Sequence, residues 1–251
     1  MKGTEKEYYK NLLLLECDAK IIEIDEEYII LDKTIAFPEW GGQQWDIWEI
    51  ILENWEKINF IDTKKWLWRK IFLWDFPIIS VDTEIYHIIE KNPKIESKVK
   101  VWDIIAIKIN TQRRELLSIS HTASHLLYIW AEKIRPWITK NIIWCSITPT
   151  SARFDFRTEQ TFSTDEQNKI INIANEYVIK NYKINIYPHK EEKEALFWEC
   201  NWEIIPCWWT HISSTENIWE LKIKRKNIGK WKERLSITLE NCLVNLDKYY
   251  K

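Results

Sequence analysis

Two short segments hold side chains that could share a metal ion. His121-Thr122-Ala123-Ser124-His125 places two imidazoles four residues apart. On a helix that spacing puts both on one face. Cys207-Trp208-Trp209-Thr210-His211 adds a thiol and a third imidazole much later in the chain. One thiolate and three imidazoles suit zinc. A single histidine pair at this spacing is a common coincidence. Both segments together, in a chain with only 5 His, are better evidence. Spacing alone leaves metal and coincidence both open. The set also carries a tension, because four ligands close a tetrahedron, the usual form of structural zinc. Catalysis needs an open position, a fifth ligand or a displaced histidine.

The elements that must position these groups differ between the two halves. Residues 10–110 read mostly as short β-branched or alternating runs between polar turns: 12–24, 28–32, 47–52, 58–61, 70–73 and 102–109. The segment 85–90 reads as a single helical turn. Strands at this spacing predict a small barrel or sandwich. Near Asn110 the pattern changes. Leu116, Leu117, Ala123, Leu126, Leu127 and Ala131 recur at helical steps over 111–134, with Pro136 just beyond. Strand-like 142–147 and 152–156 follow. Ser163-Thr164-Asp165-Glu166 resembles a capped start for a helix running to about 180. Further strands are expected at 184–187, 219–226 and 234–239. The expected fold class is α+β: an N-terminal, β-barrel-like domain over 1–110, then a two-layer α/β domain with an antiparallel sheet over 111–251. No low-complexity linker separates them, so the halves are expected to pack closely.

Bulk properties narrow the function classes. Hydrophobic residues are 45% and charged residues 29%, which excludes a disordered chain. Net charge is −2, so any nucleic-acid binding must come from a local patch. The charged N-terminus has no signal-peptide pattern, and the run Leu12 to Leu15 is too short to span a bilayer. Five scattered cysteines give no disulfide framework. These features predict a reducing, cytoplasmic setting without a membrane. No heptad pattern suggests an obligate dimer, so a monomer is expected.

One ratio is out of line. The chain holds 17 Trp and 4 Gly, where an average chain of this length has roughly 18 Gly. The two counts together come close to an ordinary glycine content. A gene that uses UGA for glycine gives this pattern when UGA is read as tryptophan. A chain truly rich in stacking indoles, such as a carbohydrate binder, is the competing reading. It predicts Trp in exposed strand rows, whereas Trp40, Trp45, Trp55, Trp66 and Trp137 fall at turn-like places.

With Gly at 208 and 209 the second segment reads C-G-G-T-H. Together with H-T-x-x-H it resembles the zinc site of the alanyl-tRNA synthetase editing-domain family, which includes free-standing trans-editing proteins. Phe37-Pro38-Glu39-Trp40-Gly41-Gly42-Gln43-Gln44-Trp45-Asp46-Ile47-Trp48 is similar to that family's glycine-rich segment if 40, 45 and 48 are Gly. Arg153-Phe154-Asp155-Phe156 resembles its R-F-D-F strand, and Leu196-Phe197-Trp198-Glu199 its L-F-G-E. Thr215 to Trp219 resembles the T-x-x-I-G after the zinc motif. These matches run in family order from about Cys17 to Leu239. At 40, 45, 48, 198, 208, 209, 219 and also 144, Trp stands where the family carries Gly. Cys145 and Ser124 stand where relatives often have Ser and Thr.

The resemblance implies a zinc-dependent hydrolase of medium-length free-standing type. It would deacylate mischarged tRNA(Ala), chiefly Ser-tRNA(Ala) and also Gly-tRNA(Ala). One Zn2+ would be held by His121, His125, Cys207 and His211, with no separate general base assigned. A full synthetase adds a large catalytic domain, so this chain is expected to act in trans on the tRNA(Ala) acceptor end. Substrate-binding candidates are Gln43, Ser124, Arg153 and Asp155. Each has a plainer reading: Gln43 as a turn residue, Ser124 bonded to its own helix, and Arg153 with Asp155 as a structural pair on one strand face. Residues 220–234 hold seven basic side chains against two acids. Lys222, Lys224, Arg225, Lys226 and Lys230, with Arg113 and Arg114, are the RNA-contact candidates. His87 and His189 read as ordinary histidines. Alternatives are editing of the threonyl-tRNA synthetase kind, and a tRNA-binding module with structural zinc only.

Overall fold

The computed structural model describes residues 3–66, 69–239, 242, 244 and 246. Trp68 therefore lies outside the described residues. The first half is built from β1 (Glu5–Lys6), β2 (Glu16–Ile24), β3 (Tyr28–Leu31), β4 (Lys33–Thr34), β5 (Trp48–Ile51), β6 (Lys57–Trp66), β7 (Arg69–Leu73), β8 (Phe76–Val81), β9 (Glu84–Ile89) and β10 (Ile104–Ile109). Six of these close a barrel in the order β10-β2-β3-β9-β6-β5. Every pair in it is antiparallel. Alternation sends Ala19, Ile21, Ile29, Ile50, Phe60 and Ile107 into the lumen. The barrel expected from the short strands is thus borne out.

The segment expected as a helical turn is instead β9. Ile85, His87 and Ile89 are buried and alternate with half-buried neighbours. The polar His87 breaks the apolar alternation that would have marked a strand. It fits because both ring nitrogens are bonded: Nδ1 donates to the Ile29 carbonyl (3.1 Å), and Nε2 accepts from the Thr34 hydroxyl (2.8 Å). Burial lowers its pKa to about 4, so it stays neutral. β2 begins at Glu16, later than the apolar run from Leu12 suggested.

The second half comprises α1 (Thr111–Ile134), β11 (Ile142–Thr148), β12 (Ser151–Arg157), α2 (Thr164–Ile179), β13 (Ile184–Pro188), β14 (Leu196–Cys200), β15 (Glu203–Pro206), β16 (Lys222–Gly229) and β17 (Lys232–Thr238). Its strands form two antiparallel sheets, β11-β12-β17-β16 and β13-β14-β15. The Asn110 side chain caps α1 by accepting from the Arg113 amide (2.8 Å). Ser163 and Glu166 form a reciprocal capping box on α2. Residues of α1, α2 and both sheets share one core, including Leu126, Phe154, Ile170, Trp198 and Leu235.

Several connections join the halves. The glycine-rich segment lies against β11: the Ile147 amide donates to the Gly42 carbonyl (2.7 Å), and the Gln44 amide donates to the Ile147 carbonyl (3.0 Å). Gly42 has φ +90°, and a Cβ there would lie 2.5 Å from the Cys145 carbonyl oxygen. Only glycine permits both that conformation and that approach. The β7–β8 hairpin reaches over β14, packing Phe76 against Phe197 and Trp208, while Asp75 meets His189 (3.0 Å). Lys6 pairs with Glu194 (2.9 Å). The α1 start at Thr111 coincides with the change of character read at 110.

Candidate metal centre

The fold brings His121, His125, Cys207 and His211 together. Their ligand atoms all lie within 4.8 Å of one another, and all four residues are buried. The histidine pair comes from the middle of α1, one turn apart. Cys207 follows β15, where its amide donates to the Leu196 carbonyl (2.8 Å). Cys207 Sγ lies 3.7 Å from His121 Nε2 and 3.2 Å from His211 Nε2. Metal–ligand bonds of about 2.0–2.3 Å in a tetrahedron place donors about 3.3–3.8 Å apart. The two sulfur–nitrogen distances span nearly that interval.

Hydrogen bonds around the cluster aim the imidazoles. His121 Nδ1 donates to Gln43 Oε1 (2.5 Å), and the Gln43 amide donates to Thr210 Oγ1 (3.2 Å). Thr122 Oγ1 donates to the Ser118 carbonyl (2.9 Å), so its lone pair accepts from His211 Nδ1 (3.1 Å). In both rings the proton is thereby held on Nδ1 and the Nε2 lone pair faces the cluster. His125 Nδ1 is buried with no hydrogen-bond partner. Burial, joined by the neighbouring imidazoles, holds His121 and His211 well below the ordinary histidine range, and burial lowers His125 to about 3. Burial pushes the Cys207 thiol far up. Four neutral donors with an orphaned polar atom among them fit a divalent cation, which would convert the thiol to a thiolate.

Indoles crowd this cluster. The Trp209 ring centroid is 5.0 Å from that of His121, Trp198 is 4.6 Å from His125, and Trp208 stacks on Trp209 at 5.1 Å. Beside Trp208 and Trp209 lies a small cavity of about 20 Å³, also lined by Tyr8, Tyr9, Leu196 and Thr210.

The other residues singled out from sequence fall into three groups. Gln43, 1% exposed, reaches the cluster from the first half as described. Ser124 is buried and donates to the His121 carbonyl (2.7 Å), the helix-bound reading. Asp155 is bidentate to Arg234 (2.6 and 2.8 Å) and not paired with Arg153, whose buried Nε has no partner. Among the basic residues, Arg114 needs correcting. It is 1% exposed and bonded to Asp46 and the Ile35 carbonyl, so it cannot face RNA. Arg113 donates to the Trp45 carbonyl (2.9 Å) and to Gln44 (3.1 Å). Arg225 pairs with Glu233. Lys222, Lys224, Lys226 and Lys230 are exposed along and beyond the edge strand β16. Sequence reasoning passed over Thr122 and Thr210, although both stand inside the two ligand segments, next to a histidine.

Comparison with known proteins by sequence finds relatives along nearly the whole chain. No family model matches the chain. It is 26% identical over 238 residues to the alanyl-tRNA editing protein AlaX-M of Pyrococcus horikoshii, covering 94% of this chain and 98% of that one. It is 29% identical over 246 residues to an alanine–tRNA ligase of Saccharolobus islandicus and 26% identical over 242 residues to that of Ignicoccus hospitalis. The chain spans about a quarter of the length of these ligases. The resemblance carried by the motifs is thus borne out nearly end to end. Among the described residues no helix is long and apolar enough to cross a membrane.

Proposed function

We propose that this chain is an aminoacyl-tRNA ester hydrolase that removes wrong amino acids from tRNA(Ala) in trans, with one zinc ion at His121, His125, Cys207 and His211. The observation that carries the reading is the convergence of these four buried donors from two distant segments, in a chain similar over nearly its whole length to an alanyl-tRNA editing protein. A bound zinc would supply Lewis acidity toward an ester carbonyl or a water molecule. The chain's own residues prepare for it. Gln43 and Thr122 hold protons on the outer nitrogens of His121 and His211, leaving both Nε2 lone pairs inward. The buried walls exclude bulk water and strengthen electrostatic interactions in the site. The lysines of β16 offer positive charge to an acceptor stem. Seryl-tRNA(Ala) is the proposed main substrate and glycyl-tRNA(Ala) the second, the monomer acting in the cytoplasm.

The test is deacylation of tRNA charged with Ser, Gly, Ala or Thr, beside a His121→Ala control. Hydrolysis of Ser-tRNA(Ala) by the parent and not by the control supports the reading. Preference for another tRNA would favour editing of the threonyl-tRNA synthetase kind. Tight tRNA binding without turnover would favour a binding module. If His211→Ala keeps the metal yet loses turnover, that histidine has a role beyond ligation.

A further inference from the structure

Twelve described residues have φ between +46° and +139°. Three are Gly41, Gly42 and Gly229, and three are Asp82, Asn181 and Asn201. The other six are Trp55, Trp102, Trp137, Trp202, Trp219 and Trp231. Glycine enters this region freely, and Asn and Asp enter it with tolerable strain. For a bulky side chain it is an outlier. Yet no Ile, Lys or Glu is among the twelve, although each of these is more abundant than Trp.

The turns themselves call for glycine. Asn201-Trp202 is the two-residue loop between β14 and β15, with φ +46° and +69°. That is the type I′ pattern, for which Asn-Gly is preferred. Trp55 closes the loop Glu53-Asn54-Trp55 at φ +66°, after the Trp55 amide has donated to the Leu52 carbonyl. This is the left-handed position of a three-residue hairpin loop. Trp137 follows Pro136 with φ +71° and ψ +2°, and the Ile138 amide donates to the Arg135 carbonyl. Trp102 has φ +81° in a turn closed by the Asp103 amide on the Lys100 carbonyl. Both are the third residue of a type II turn, where glycine belongs. Trp219, at φ +63° and ψ −128°, matches the first central residue of a type II′ turn, again a glycine position. Each of the six indoles is more than half exposed and lies outside the core clusters.

A separate observation reaches Trp208 and Trp209. A Cβ on Gly41 would collide with the Trp209 ring, and the buried Trp209 Nε1 has no hydrogen-bond partner. The Trp209 ring packs against His121, Trp208 stacks on Trp209, and both indoles line the small cavity beside Thr210. We infer that the working chain carries glycine at these eight positions, its codon there being read as glycine where the protein is made, and that two of these glycines leave the metal centre open to its substrate. The last part rests on the deacylase reading; the residue identities do not.

Peptide masses of the protein from its own cells test the identities directly. Glycine is expected at 55, 102, 137, 202, 208, 209, 219 and 231, and tryptophan there overturns the inference. Recombinant chains test the backbone part. Changing the six positive-φ tryptophans to glycine together is expected to raise Tm by roughly 10–20 °C. An unchanged or lower Tm would overturn it, as would an equal rise from Trp130→Gly, which sits in α1 with helical backbone. Adding Trp208→Gly and Trp209→Gly is expected to raise Ser-tRNA(Ala) deacylation at least tenfold. If the peptides read glycine and this chain binds zinc but hydrolyses nothing, the identities stand and the deacylase reading falls.

Discussion

At the scale of single residues, the cluster depends on neighbours outside the four candidate ligands. Thr122 spends its proton on Ser118, which leaves it only an acceptor for His211. Thr122→Val keeps the shape and removes that acceptor. Zinc affinity, measured by chelator competition, is expected to fall about 10–100-fold. A change within twofold would mean that packing alone holds the ring. His87 makes a second residue-scale prediction. Its pKa is depressed from 6.5 to about 4 by burial in the barrel. Between those values the unfolded chain binds a proton that the folded chain does not. Stability is therefore full above about 6.5 and is lost as pH falls toward 4, by on the order of 3 kcal/mol from this group. His87→Gln is expected to flatten the pH dependence of Tm over that window relative to the parent.

At the scale of elements, the glycine-rich segment and the first turns of α1 act together. Arg114 and Asp46 form a pair whose side chains are 1% and 2% exposed, at 2.5 Å, with Asp46 also accepting from the Phe37 amide. This pair holds the segment beside the helix that carries His121 and His125, where Gln43 meets His121. Arg114→Leu leaves a buried carboxylate without its partner and is expected to cost about 3–5 kcal/mol in chemical denaturation. Arg114→Leu with Asp46→Leu is expected to recover most of that loss, since two apolar groups then replace the pair. Recovery of stability without recovery of zinc binding would separate the segment's packing from its positioning of Gln43.

At the scale of the whole molecule, the centre is shared between halves. The four candidate ligands lie in the second half, but Gln43, which bonds His121, comes from the first. The hairpin pair Asp75–His189 and the pair Lys6–Glu194 hold the halves together on the same side. Charge is also arranged at this scale. The chain is nearly neutral overall, yet β16 and its turn present Lys222, Lys224, Lys226 and Lys230 outward. If tRNA lies there, Lys224→Ala and Lys226→Ala should each weaken binding and lower the slope of log affinity against log salt by about 1. An unchanged slope would move the RNA to another face.

The sequence determined what local geometry governs. The i, i+4 rule put His121 and His125 together, the cap residues set the start of α2, and alternation read most barrel strands. The match of Trp to glycine motifs was also legible, though the backbone extended it to turns outside any motif, such as Asn54-Trp55 and Asn201-Trp202. Strand β9 was missed because a buried histidine interrupts its apolar pattern, and its partners Thr34 and Ile29 are distant in the chain. Arg114 read as a surface charge because Asp46, which neutralises it, lies 68 residues away. Tertiary structure alone decided which threonine serves which histidine, and that Gln43 crosses from one half to reach the other. Such contacts follow from the packing of barrel, helix and sheets, so their partners have no fixed separation along the chain.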